Sequence, residues 1–315
     1  MNFKDSYKND NDKIKLRKEV LISLSDKMRS YNDSRIIKKS KLNYKVALSI
    51  VAALLIFSTF IFSNIIFKKE GIYVPKQQLG VTDPNIAAKR APTLVYKNRV
   101  YIMEVIEISL EEGKALMDKK IGVTWNMMGE IVDNGTSEGY IDLESLEDFA
   151  SFGEGDEVYT AKGYDENFRL ITYSNNEYGE YINLWQCLND FTLEDGSDVF
   201  GKMNIKGNLE SITWESFNNW NNGLIEEKEV IIDDTVNRFI DAMYKGVPYS
   251  LEDESLRSQL FDNEENQKFM FLKMKDGTKA QIRLFKDGYV YYSGLEFVFK
   301  LDEETFNTMW NKLVS

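Results

Sequence analysis

Histidine is absent from this chain, and cysteine occurs once, at Cys187. The first absence excludes Ser-His-Asp and Cys-His nucleophile chemistry. It also excludes His-ligated zinc and c-type haem ligation. The second excludes any disulfide within the chain. Cys187 lies between Trp185-Gln186 and Leu188, and these neighbours predict a buried structural thiol. A third lack is local. Residues 46–67 carry no charge at all, only Val, Ala, Leu, Ile, Phe and Ser with one Thr and one Asn.

That uncharged run is 22 residues long. At about 1.5 Å per residue a helix of this length covers roughly 33 Å, enough for a hydrocarbon core of about 30 Å. It predicts one transmembrane helix. The 20 residues before it hold seven Lys/Arg and the 20 after it hold three, which predicts an N-terminus in the cytoplasm and a C-terminal region outside the cell membrane. Residues 1–67 carry 13 basic and 6 acidic groups; residues 70–315 carry 24 basic and 45 acidic. The run is long for the apolar core of a cleaved signal peptide, starts late, and has no A-x-A-like site after it, so it reads as an uncleaved signal anchor. Ser49 and Ala53 give it a small-xxx-small spacing. The acidic outer region opposes binding to nucleic acid, because like charges repel.

Before the span, residues 10–30 have amphipathic helical spacing. Arg17, Leu21, Leu24 and Met28 share one stripe, with Leu16 and Val20 beside it. Two uses fit this basic arm of residues 1–45: lying on anionic membrane lipid, or docking a cytoplasmic regulatory protein through Leu21, Leu24 and Met28. A charged amphipathic arm, a basic linker, one span and an extracytoplasmic domain together resemble the layout of membrane-bound anti-sigma factors of low-GC Gram-positive bacteria. That resemblance implies a sigma factor or similar protein as the arm's partner. The His-x3-Cys-x2-Cys zinc module of many such proteins is absent.

About 245 residues follow the span, rich enough in aromatics for a packed core. Residues 68–91, with Gly71, Pro75, Gly80 and Pro84, read as a linker. An α+β fold of two modules is expected beyond it, at 92–223 and 224–315, built from antiparallel β-meanders and short packing helices. In the first, residues 93–103 form a hairpin turning at Lys97-Asn98. Ser109 and Glu112 make a capping box. Asp142 caps a short helix, 156–162 and 167–174 are strands, and 208–219 is helical. In the second, Asp233 or Asp234 caps a helix with Val236, Phe239, Ile240 and Met243 on one face. Strands at 268–275, 278–285 and 289–301 turn at Asp276-Gly277 and Asp287-Gly288, and Asp302 caps a final helix. Residues 156–169, and 275–278 with 283–291, resemble segments that recur in uncharacterised exported proteins of Gram-positive bacteria. That resemblance implies location and no activity.

Candidate chemistry is sparse. Carboxylate pairs abound but arise by chance among so many acids, and solvated surface charge explains them. Asp195-Gly196-Ser197-Asp198 and Asp262-Asn263-Glu264-Glu265 do not meet the EF-hand pattern. Gly153-Glu154-Gly155-Asp156 precedes a strand and is acidic, unlike a phosphate cradle. No catalytic, cofactor or metal residues are assigned. Trp214, Phe217 and Trp220, at i, i+3 and i+6, would make one aromatic face of a helix: packing between the modules, or an exposed platform for a sugar or peptide. The expectation is a non-enzymatic, membrane-anchored binding or sensing protein with an unidentified envelope ligand. Its alternative is a transmembrane regulator whose arm docks a partner.

Overall fold

The structure, a computed structural model, describes residues 71–81, 92–104, 108–127, 139–224 and 226–314. All of them belong to one compact unit, Lys69–Ser315. The arm with Leu21, Leu24 and Met28, and the apolar span at 46–67, lie outside the described residues. Among the described residues no helix is long and apolar enough to cross a membrane. The unit is α+β and mostly sheet.

Its first part is an eight-stranded sheet. In spatial order the strands are Met117–Val123, Glu157–Ala161, Arg169–Asn176, Gly179–Gln186, Arg99–Met103, Thr93–Tyr96, Ala150–Ser151 and Trp125–Asn126. The two edge strands are separated in sequence by Thr124 alone. One residue spans only about 3.8 Å, so the edges meet and the sheet closes into a small barrel. Thr124 N donates to Asp156 O at 2.8 Å on one side of the seam, and Trp125 N donates to Phe149 O at 3.2 Å on the other. Away from the seam, Met117–Val123 pairs with Glu157–Ala161 alone among the described strands, so most of its other edge stays open. Six strands send Leu94, Tyr96, Tyr101, Met103, Ile121, Val158, Leu170 and Trp185 into one cluster with Cys187, which is the barrel interior. Trp185 satisfies its indole N–H there on Thr172 Oγ1 at 2.8 Å. Burial raises the pKa of the Cys187 thiol, and its expected burial is observed. Helix α1, Leu110–Leu116, carries the expected capping box between Ser109 and Glu112 and packs Leu116 outside the barrel on Ala161, Ile171 and Leu184. The hairpin at Lys97-Asn98 is also as expected, with both residues at positive φ.

The second part is a seven-stranded antiparallel sheet: Lys228–Glu229, Leu209–Ser216, Gln267–Met274, Lys279–Phe285, Tyr289–Tyr292, Phe297–Lys300, Val247–Ser250. Its inner face carries Ile212, Met270, Leu272, Ile282, Leu284, Val290 and Phe299. These pack on helices α3 (Asp234–Tyr244) and α5 (Glu303–Val314) through Phe239, Ile240, Met243, Phe306 and Met309. Asp233 caps α3 and also pairs with Lys312 of α5 at 2.7 Å. Asp302 caps α5, accepting from Thr305 N at 2.9 Å.

Five expectations are corrected. Residues 208–219 are not helical: Leu209–Ser216 is a strand, because Ile212 and Trp214 alternate with Thr213 and Glu215 and register against Gln267–Met274. This places the expected module boundary at residue 223 inside the seven-stranded sheet, whose strands and core come from both sides of it. The linker at 68–91 is partly folded. Ile72–Val74 pairs with Phe191–Leu193, Leu79–Val81 pairs with Gly139–Ile141, and Val74 joins the main core. Helix α4, Glu254–Phe261, capped by Asp253, precedes the strand Gln267–Met274. Asp142 caps only a single 3-10 turn, Leu143–Ser145, and the last strand is two, Tyr289–Tyr292 and Phe297–Lys300.

Barrel and sheet touch closely at Gly277. Its φ of +87° suits glycine, and a Cβ there would stand 2.6 Å from Glu112 Cβ of α1. Gly294 has a similar φ of +90° with nothing within 4 Å. Gly277→Ala is therefore expected to cost about 1–3 kcal/mol from backbone strain plus a clash, and Gly294→Ala the strain alone. Urea melts of the two variants check this; equal losses would show that the α1 approach is not tight.

Candidate binding site on the outer sheet face

Two polar constellations stand out, one buried and one open. The buried one joins barrel to sheet. Arg169 is 1% exposed and pairs with Glu104 at 2.5 Å. Its guanidinium lies over the rings of Tyr164 (4.4 Å) and Phe168 (5.1 Å). Burial opposes this charge, but Glu104 and Tyr164 outweigh it and hold the guanidinium above its ordinary pKa. Tyr164 donates to Asp276 Oδ2 at 2.7 Å and lies 2.9 Å from Thr278 Oγ1; burial pushes its hydroxyl up to about 12. Tyr292 donates to Gln186 Oε1 at 2.8 Å. The resembling segments at 156–169 and 275–278, far apart in sequence, thus meet through Tyr164. Arg169 Nε and Nη1 and Gln186 Nε2 are buried without hydrogen-bond partners among the described residues. Arg169 and Thr278 are buried in this junction and Tyr164, Asp276 and Gln186 partly so, and its work is to hold two layers together.

The open constellation lies on the outer face of the seven-stranded sheet. Glu215, Phe269 and Arg283 are direct cross-strand neighbours and form one row. With strands about 4.8 Å apart, the two charged residues are roughly 10 Å from each other across Phe269. At Ser216 the chain leaves its strand and turns into helix α2, Phe217–Asn221, with the Ser216 side chain accepting from Asn219 N. The turn carries Phe217 and Trp220 over the row. Trp220 stacks on Phe269 with ring centroids 4.0 Å apart.

The expected single face of Trp214, Phe217 and Trp220 is thereby split. Trp214 is still in the strand and points to the inner side, 9% exposed, with Lys228 and Lys268 over its ring. Phe217 and Trp220 sit on the outer side. Core packing describes Trp214; only Trp220, 41% exposed, presents surface.

Arg283 is the residue that sequence reasoning missed. Four rings frame its guanidinium: Phe261 at 4.7 Å, Phe217 at 4.8 Å, and Phe269 and Phe285 at 5.4 Å. Its Nη2 donates to Gln267 Oε1. Gln267 is itself fixed, since its Nε2 is 2.9 Å from the carbonyl oxygens of Leu260 and Phe261 and 3.1 Å from that of Asn263. These carbonyls lie at and just beyond the C-terminal end of α4, which needs donors, and the arrangement leaves Oε1 turned to the arginine. Nε of Arg283 is buried without a hydrogen-bond partner among the described residues. No carboxylate of the described residues forms an ion pair with it, although the outer region is strongly acidic. Burial lowers its pKa, yet a guanidinium remains charged.

The loops considered for calcium are used locally. Asp198 Oδ2 accepts from Glu194 N at 2.7 Å, and Asp195 Oδ1 from Ser197 N at 2.8 Å. Asp262 closes α4. Among the described residues no group of three His, Cys, Asp or Glu side chains converges as a metal site. No family model, curated protein or solved structure matches the chain.

Glu215 is 7% exposed and makes no hydrogen bond or ion pair among the described residues. Burial, with Glu227 nearby, raises its pKa above the ordinary 4.5. A raised folded-state pKa means that stability is full below the unfolded value and falls as pH rises through the folded one. Glu215→Gln is expected to raise the melting temperature at pH 7 and to leave it unchanged near pH 3.5. A gain of equal size at both pH values would place the effect in packing and not in charge.

Proposed function

We propose that this chain is a single-pass membrane protein with a cytoplasmic N-terminus, and that residues 70–315 form a non-catalytic, extracytoplasmic binding or sensing body. The uncharged run at 46–67, with its Lys/Arg bias, carries this reading. The outer sheet face supports the binding part. It offers an indole and an arginine without a carboxylate partner on a rigid sheet, an arrangement suited to holding a ligand. The chain's lack of histidine and of nucleophile constellations supports binding over catalysis.

The second reading is a transmembrane regulator. The apolar stripe of Leu21, Leu24 and Met28 supports it, as anchors at helical spacing of the kind that enter a partner's groove. The resemblance in layout to membrane-bound anti-sigma factors belongs to this reading. The two share one topology and differ in whether the arm has a protein partner.

Topology is open to thiol labelling, because Cys187 is buried and silent. Tyr178 is 77% exposed and lies outside the site. A Tyr178→Cys variant is expected to react with a membrane-impermeant maleimide on intact cells. A Ser6→Cys variant is expected to react only after permeabilisation. The reverse pattern would overturn the assignment.

A further inference from the structure

We infer that the outer face of the seven-stranded sheet binds a carboxylate carried on a sugar ring, with Arg283 taking the carboxylate and Trp220 stacking on the ring; the inference deepens the binding reading and rests on it.

The charge argument comes first. A half-buried guanidinium has lost part of its hydration, and in a folded protein it normally recovers that loss by pairing. Arg169 and Arg99 do so, with Glu104 and Asp190. Arg283 forms no ion pair among the described residues, and it feels Glu264 only as a nearby charge. Its rings supply cation–π attraction, and Gln267 occupies one hydrogen of Nη2. That leaves Nη1 and the second hydrogen of Nη2 as a fork, the geometry that suits a planar oxyanion.

The second argument concerns shape. Trp220 and Arg283 share two neighbours. Phe269 is 4.0 Å from the Trp220 ring and 5.4 Å from the guanidinium, and Phe217 is 6.1 Å and 4.8 Å from them. One face of the indole is covered by Phe269 in a near-parallel stack, at 20°. The 41% of Trp220 that remains exposed is a ring platform beside the fork, as the C–H face of a sugar requires.

The third argument limits the ligand's charge. Residues 70–315 carry a net charge of −21, which repels polyanions over a Debye length of about 8 Å or more. A single carboxylate can be neutralised at Arg283; a chain of phosphates meets repulsion beyond it. Gln267, held by three carbonyls, keeps the guanidinium in place before the ligand arrives, which lowers the ordering cost of binding.

Calorimetric titration of the full-length protein in detergent tests this with four probes: sodium D-glucuronate, methyl α-D-glucopyranoside, sodium acetate and inorganic phosphate. Glucuronate is expected to bind saturably and at least tenfold more tightly than either the neutral glucoside or acetate. Arg283→Gln is expected to weaken glucuronate at least tenfold, and Arg283→Lys, which keeps the charge but not the fork, at least threefold. Trp220→Ala, at a position 41% exposed on the outer cover, is expected to bring glucuronate down to the level of acetate, and, with its fold checked by circular dichroism, keeps the test open should the Arg283 variants fail to fold. Undiminished binding by folded Arg283→Gln or by Trp220→Ala overturns the inference. So does the absence of saturable glucuronate binding, or phosphate binding more tightly than glucuronate. None of these failures touches the topology, which the cysteine labelling decides separately.

Discussion

A strand with apolar side chains on both faces must be covered on both sides, and Gln267–Met274 is such a strand. Met270, Leu272 and Met274 point inward, while Phe269 and Phe271 point outward. The inner set is met by helices α3 and α5. The outer set demands its own cover, which comes from α2 and the end of α4. Fully burying a side chain of this size is worth about 1.5–3 kcal/mol, so both covers are held firmly. The outer cover is thin, only five residues in α2. It leaves Arg283 half-buried at its margin, framed by rings, instead of sealed or fully solvated.

The same sheet is locked to the barrel at its far side. Tyr164 with Asp276 and Thr278, and Tyr292 with Gln186, bridge the layers where Gly277 allows α1 to approach the turn, and the buried Arg169–Glu104 pair belongs to the barrel beside them. Removing one member of such a buried pair costs about 3–5 kcal/mol, because the remaining charge has no water to replace its partner. A layer held this way on one side has little freedom to tilt, and the outer row of Glu215, Phe269 and Arg283 inherits that rigidity. A binding face gains from this, since a ligand need not pay to order it.

Much of the local structure was legible in the sequence because its causes are local. The hairpin at Lys97-Asn98, the Ser109–Glu112 capping box, the caps at Asp233 and Asp302 and the Asp-Gly turns depend on residues within a few positions of each other. What escaped depends on partners far along the chain. The barrel seam at Thr124 requires the 157–161 and 150–151 strands to flank it. The strand at 209–216 reads as helix in the sequence, since Trp214, Phe217 and Trp220 fall at helical spacing while the alternation of Ile212 and Trp214 is short and is broken by the turn at Ser216. Arg283 reads as an ordinary surface charge until α4 folds Phe261 against it. One sign of the site was present: the unbroken run Phe269-Met270-Phe271-Leu272 is apolar on both faces, and a strand of that kind predicts cover on its outer side.

Hydrogen exchange of the full-length protein, measured by mass spectrometry with and without saturating D-glucuronate, addresses the central claim most directly. The amides of 215–222, in α2 and its entry turn, and of 260–267, at the end of α4, are predicted to slow together. The barrel amides of 169–186 are predicted to stay unchanged. Slowing confined to the barrel, with the α2 and α4 segments unaffected, would contradict a ligand site at Arg283 and Trp220.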